Sequence, residues 1–157
     1  MQELKPIVFK ISGESFGVDI DLVSSIENMI QIFPAPNSPD YIKGMVNLRG
    51  EVIPLYSLRA KFGIVDNGAV SDNDKKIIVV RIGDLSLALE VDAVENIMDV
   101  DAAKIFDTPA IIKSEKTKYL SKVANIENKL IMIINPIDLL EDEEKNSLKK
   151  IIDSSKE

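Results

Sequence analysis

What most constrains this chain is that it repeats itself. Ile7 to Ile26 (IVFKISGESFGVDIDLVSSI) lies over Ile78 to Ile97 (IVVRIGDLSLALEVDAVENI) without a gap, and seven of the twenty pairs are identical, among them Val23 with Val94 and Ile26 with Ile97. A second block, Tyr41 to Leu55 over Tyr119 to Ile133, matches at a slightly larger offset, so the difference in length falls in the turn-rich stretches between the blocks. Self-similarity at a fixed period decides architecture before local propensity does. The organisation it predicts is one domain of two duplicated subdomains, 6–64 and 76–140. A polar connector at 65–75 (VDNGAVSDNDK) joins them, and an amphipathic helix in 141–157 follows, with Leu148, Ile151 and Ile152 on one stripe.

Within a copy the dominant period is two. Ile7, Phe9 and Ile11 alternate with Val8 and Lys10, and after Gly13 the residues Phe16, Val18 and Ile20 alternate with Gly17 and Asp19, which reads as a hairpin of half-buried strands. One helical turn at Ile20 to Val23, capped by Asp19 or Asp21, leads to a further extended segment. Arg49-Gly50 between two strand patterns suits a primed turn needing positive φ, and the other copy places Glu127-Asn128 there. Pro54 lacks a ladder donor and predicts an edge strand or a bulge. Ser57 and Asn135-Pro136 are helix starts, and the unalternating LIMII run at Leu130 to Ile134 predicts a strand covered on both faces. Five strands per copy, ten in all, predict an all-β fold of two small barrels.

Composition then removes function classes. The 157 residues contain no cysteine and no histidine, so thiol chemistry, disulfides, the commonest zinc ligand and the usual general base are absent. A net charge of -7 with scattered Lys and Arg argues against nucleic acid and polybasic membrane binding, and no apolar run approaches the roughly 18 residues of a membrane span. Asp19 with Asp21, and Glu90 with Asp92, occupy equivalent places in both copies and read as helix caps or solvated strand positions rather than an acid/base pair. Neither a phosphate loop nor a nucleophile motif is present, so no catalytic residue, cofactor or metal site is expected. What remains is a binding surface. Val23, Ile26, Val94 and Ile97 are either core or surface, and Arg49 is either a solvated turn residue or an interface anchor.

The segment Gly44 to Leu58 (GMVNLRGEVIPLYSL) resembles the motif G-x-x-N-L-R-G-x-[IV]-[IV]-P-[VIL]-x-x-L of the CheW-like chemotaxis coupling family, and Phe16 to Ile26 resembles the stretch before it. The resemblance covers about residues 6 to 140. It implies two SH3-like five-stranded barrels and a non-enzymatic cytoplasmic adaptor, monomeric in isolation. Such an adaptor joins the regulatory domain of the histidine kinase CheA to the cytoplasmic tip of methyl-accepting receptors in arrays under the inner membrane. The alternative is a scaffold for a related non-motility two-component kinase. Arg49, Gly44, Val23 and Ile97 match family positions linked to coupling, with Ile26 and Val94 beside them. One departure stands out: where many relatives carry Glu two residues after the valine, this chain has Ser25, followed by Ile26 and Glu27.

Overall fold

Alternating sequence opens each half with a hairpin. In the computed structural model, which describes residues 4–64, 70–71, 74–109, 111 and 119–139, β1 (Pro6–Ile11) pairs antiparallel with β2 (Glu14–Asp19). The first half continues through β3 (Val23–Asn28), β4 (Ile42–Leu48), β5 (Glu51–Ser57) and the short helix α1 (Leu58–Lys61). The second half repeats the plan with β6 (Lys76–Ile82), β7 (Leu85–Val91), β8 (Ala93–Ile97), an additional β9 (Ile105–Asp107), β10 (Leu120–Ile126) and β11 (Lys129–Ile134). The duplication reaches backbone detail. Arg49 and Gly50 have φ of 51° and 86°, and Glu127 and Asn128 have 50° and 66°, so both copies use the left-handed turn that matches strand twist. Ser57 N–H bonds the Tyr41 carbonyl at 2.7 Å, and in the other copy Asn135 N–H bonds Tyr119 at 2.7 Å.

The fold is all-β, as the repeat predicts, but the sheets do not follow the halves. One sheet runs β8-β1-β2-β11-β10-β9 and the other β3-β6-β7-β5-β4. Each hairpin has left its own half and sits between strands of the other, held by parallel pairs β2–β11 and β5–β7. The first sheet has six strands instead of five because β9 extends along β10, where the first half makes only the isolated Phe33–Met45 bridge. Among the described residues neither sheet closes by hydrogen bonds, so each is an open form of the expected barrel. Each nevertheless curls around its own apolar cluster. Val8, Ala124, Ile131 and Ile133 fill one with Ile105 and Met98, which come from opposite edges, while Val46, Ile53, Leu55, Ile77 and Val79 fill the other.

A third and largest cluster lies between the sheets, with Ile7, Phe9, Ile11, Tyr56, Ile78, Val80, Leu87 and Leu89 among its members. Strands β1 and β6 thus bury both faces, which explains why PIVFKI and KIIVVRI read as near-continuous apolar runs. Tyr56 donates its hydroxyl to the Leu139 carbonyl at 3.3 Å across the halves, and burial holds that hydroxyl protonated far above its ordinary range.

Local chemistry sets the ends of the elements. Asp19 caps the 3-10 turn Ile20–Leu22, Ser57 accepts from Ala60 N–H to start α1, and Asn135 accepts from Ile137 N–H before Pro136. Pro54, expected at an edge or bulge, lies on an interior strand. Its partner Met45 commits its own N–H and C=O to Phe33, and pairing with β7 starts only at Leu55, so the missing donor breaks no ladder bond. The LIMII strand is flanked on both sides and buries Ile131, Ile133 and Ile134, but Leu130 is 64% exposed. The expected helix at 143–153 and most of the connector lie outside the described residues, and Lys75, read as connector, is fully buried.

Candidate docking surfaces

β-Bulges bring four of the sequence-selected residues to the rim of the central core. On β3 the register slips between Val23 and Ser25, so Val23 opposes Val80 and Ile26 opposes Ile78. On β8 it slips at Glu95, so Val94 opposes Phe9 and Ile97 opposes Ile7. Residues directly opposite share a face, and a three-residue spacing would otherwise put Val and Ile on opposite faces. Here each pair lies on the face of its neighbour strand that packs into the central cluster. Val23 and Val94 are half-buried against it, while Ile26 and Ile97 are 41% and 55% exposed. Strands β3 and β8 are the outer strands of their sheets, so this apolar fringe borders open backbone edges.

Arg49 stands apart from that fringe. The primed turn projects its side chain, 68% exposed, and both terminal nitrogens donate to the Glu27 carboxylate at 3.2 and 3.1 Å. Glu27 opposes Ile77 and Ser25 opposes Val79, both residues of the second sheet's own cluster, so Glu27 faces away from Val23 and Ile26. The two strands linked by this fork, β3 and the β4–β5 turn, lie at opposite ends of the sheet order, and the ion pair bridges edges that backbone bonds leave open. Beyond Ser25, a carboxylate stands two residues further along the same strand face, at Glu27. Hydrogen bonds from Arg49 first and Ser25 second hold the Glu27 carboxyl below its ordinary range. Since folding lowers this value, the pair's contribution is present above the ordinary glutamate range and is lost as pH falls through the folded-state value. Carboxyl NMR titration is expected to show the Glu27 midpoint rising in Arg49→Ala, and an unchanged midpoint would mean that the fork does not form in solution.

Gly44 presents no side chain to a partner. It is buried at the β4 bulge with φ 152°, where a Cβ would stand 2.3 Å from the Phe33 carbonyl oxygen. Its position holds the Ile32–Phe33 segment tight against β4, beside the paired bonds between Phe33 and Met45 at 2.7 Å.

Two features were not visible in the sequence. Glu90 and Asp92, read as caps or solvated acids, are buried at 5% and 9% exposure. Glu90 accepts from Lys43 at 2.8 Å and lies 3.7 Å from Lys75, and Asp92 accepts from Arg59 at 2.5 Å and from Ser12 N–H at 2.8 Å. Their repeat equivalents Asp19 and Asp21 form an exposed cap. The second feature is an apolar groove of about 490 Å³ across β2, β11, β10 and the β9 end, floored by Phe16, Val123, Leu130 and Met132 and walled by Phe106 and Pro109, with Glu14 and Asp107 at its margin. Leu130 and Phe106 are 64% and 54% exposed there.

Comparison with known proteins identifies the family and the overall fold. Residues 5–144 match the CheW-like domain. The chemotaxis protein CheW of Klebsiella aerogenes is 30% identical over 88% of this chain and 82% of its own length. CheW of Bacillus subtilis is 26% identical over 91% and 90%. The crystal structure of the scaffolding protein TtCheW from Thermoanaerobacter tengcongensis superposes with a TM-score of 0.81 at 32% identity, covering 91% of this chain and 96% of that one. The chain belongs to the CheW-like domain family.

Proposed function

We propose that this chain is a non-enzymatic scaffold of a chemotaxis signalling assembly in the cytoplasm, coupling the tip of methyl-accepting receptors to the regulatory domain of a CheA-type histidine kinase. The observation that carries the reading is exposed apolar surface in more than one place: Ile26 beside Val23 on β3, Ile97 beside Val94 on β8, and Leu130 with Phe106 in the groove. Contiguous exposed apolar surface of this kind marks protein contacts, and a scaffold that holds two partners at once needs two of them. The names of the relatives, chemotaxis proteins and a scaffolding protein, support the same reading.

Calorimetry against a cognate kinase regulatory domain and a receptor-tip fragment tests it. Micromolar binding, about 8 kcal/mol, is expected for each. Ile97→Glu and Leu130→Glu place a charge on one surface each, and each is expected to weaken one partner at least about ten-fold while leaving the other within about two-fold. Absence of heat with both partners at about 100 μM would end the proposal. Arg49→Ala is expected to lower the free energy of unfolding by no more than about 0.5 kcal/mol, because the guanidinium end of its ion pair is mostly exposed, and to weaken one partner at least about five-fold. If it unfolds the protein instead, Arg49 serves the curl of the sheet and not an interface.

A further inference from the structure

Neither half of this chain completes a sheet from its own strands. Four ladders, β1–β8, β2–β11, β3–β6 and β5–β7, join one half to the other. The largest apolar cluster draws on both halves. The ion pairs Lys10–Glu95, Lys43–Glu90 and Arg59–Asp92 each run from the first half to the second. The only covalent tie between these two interlocked pieces is the single connection at 65–75. Nothing in the ladders, the core or the ion pairs depends on which copy of the chain supplies the second half.

We propose that two copies of this chain exchange halves, so that the surface joining the halves also fits a second copy of the same chain. In the exchanged pair the first half of each copy is completed by residues 75–139 of its partner, and every contact of the monomer is remade. The balance is therefore set by the connection rather than by new contacts. A link as short as the eleven residues 65–75 holds the two halves at an effective concentration in the millimolar range, so the monomer prevails at micromolar protein and exchange becomes comparable near about 1 mM. The pair contains two complete units, each with its own apolar fringe and its own groove. A receptor or kinase contact would then be doubled on one particle, a step beyond the scaffold reading and independent of it.

The absence of cysteine makes the test clean, because an introduced thiol is the only one in the chain. Lys10 and Ala93 oppose each other on β1 and β8, one from each half, and neither is buried. A Lys10→Cys chain and an Ala93→Cys chain, mixed while folded at about 10 μM and oxidised, are expected to give almost no mixed disulfide. The same pair unfolded together, refolded at about 1 mM and oxidised is expected to give the mixed disulfide in at least about five-fold excess over either homodisulfide. The share of chain in it should rise about three-fold between about 0.1 and about 1 mM. A statistical distribution of the three disulfides would overturn the proposal. Light scattering of the unsubstituted chain after the same refolding is the second measurement. A species of twice the monomer mass is expected, and a purely monomeric chain up to about 1 mM rejects the exchange whatever the variants do.

Discussion

Glu90→Ala is expected to lower the free energy of unfolding by about 3–5 kcal/mol, measured by urea titration. The side chain is almost wholly enclosed, with Lys43 at 2.8 Å and Lys75 at 3.7 Å, and Lys75 itself is only 1% exposed. Removing the carboxylate takes a buried anionic partner from both the Lys75 ammonium and Lys43, and losing a partner of a buried cation costs far more than losing a surface pair. Glu90→Gln keeps the volume and one acceptor, so an intermediate loss is expected. The repeat supplies a control. Asp19 is the equivalent residue in the first half but caps an exposed turn, and Asp19→Ala should cost about 1 kcal/mol. Equal losses at Glu90 and Asp19 would show that the two halves use these acids alike and that the buried network does not hold in solution.

Phe9→Ala is expected to cost about 3–5 kcal/mol and, more tellingly, to leave a single unfolding transition. Phe9 is fully buried between the sheets and stacks on Phe16, which stacks in turn on Phe62 and it on Tyr119, so the aromatic row starts in one half and ends in the other. With the core shared and each sheet built from both halves, loss of one half's packing removes the other's support. Fluorescence and far-ultraviolet circular dichroism should therefore report the same midpoint. Two separated transitions would mean that the halves fold as independent lobes, contrary to the exchanged hairpins.

The strands other than β9, both primed turns and the caps at Asp19, Ser57 and Asn135 were legible in the sequence because each depends on local periodicity or on a few adjacent residues. Period two assigns a side chain to a face, and Arg49-Gly50 and Glu127-Asn128 carry their own φ requirement. Which strands become neighbours was not legible. The sequence of β1 is compatible with any partner that buries both its faces, and only the complete chain decides that β8 and β2 flank it. The candidate surface was legible in part for the same reason. Val23, Ile26, Val94 and Ile97 are recognisable as paired apolar positions, but the bulges that put each Val and Ile on one face depend on tertiary pairing. Glu27 was overlooked because its importance lies in reaching Arg49, 22 residues away in sequence. The buried Glu90 and Asp92 look the same as solvated acids in a one-dimensional reading, since burial of a charge is visible only when its partner, Lys43 or Arg59, is in place.

Coupling is tested most directly by sedimenting receptor-containing membranes with a cognate CheA-type kinase, with and without this chain, and measuring kinase in the pellet together with its autophosphorylation. The account predicts that the chain raises the sedimented kinase at least about five-fold and that Ile97→Glu abolishes most of that gain while remaining folded. Equal sedimentation and equal kinase activity with and without the chain would contradict it.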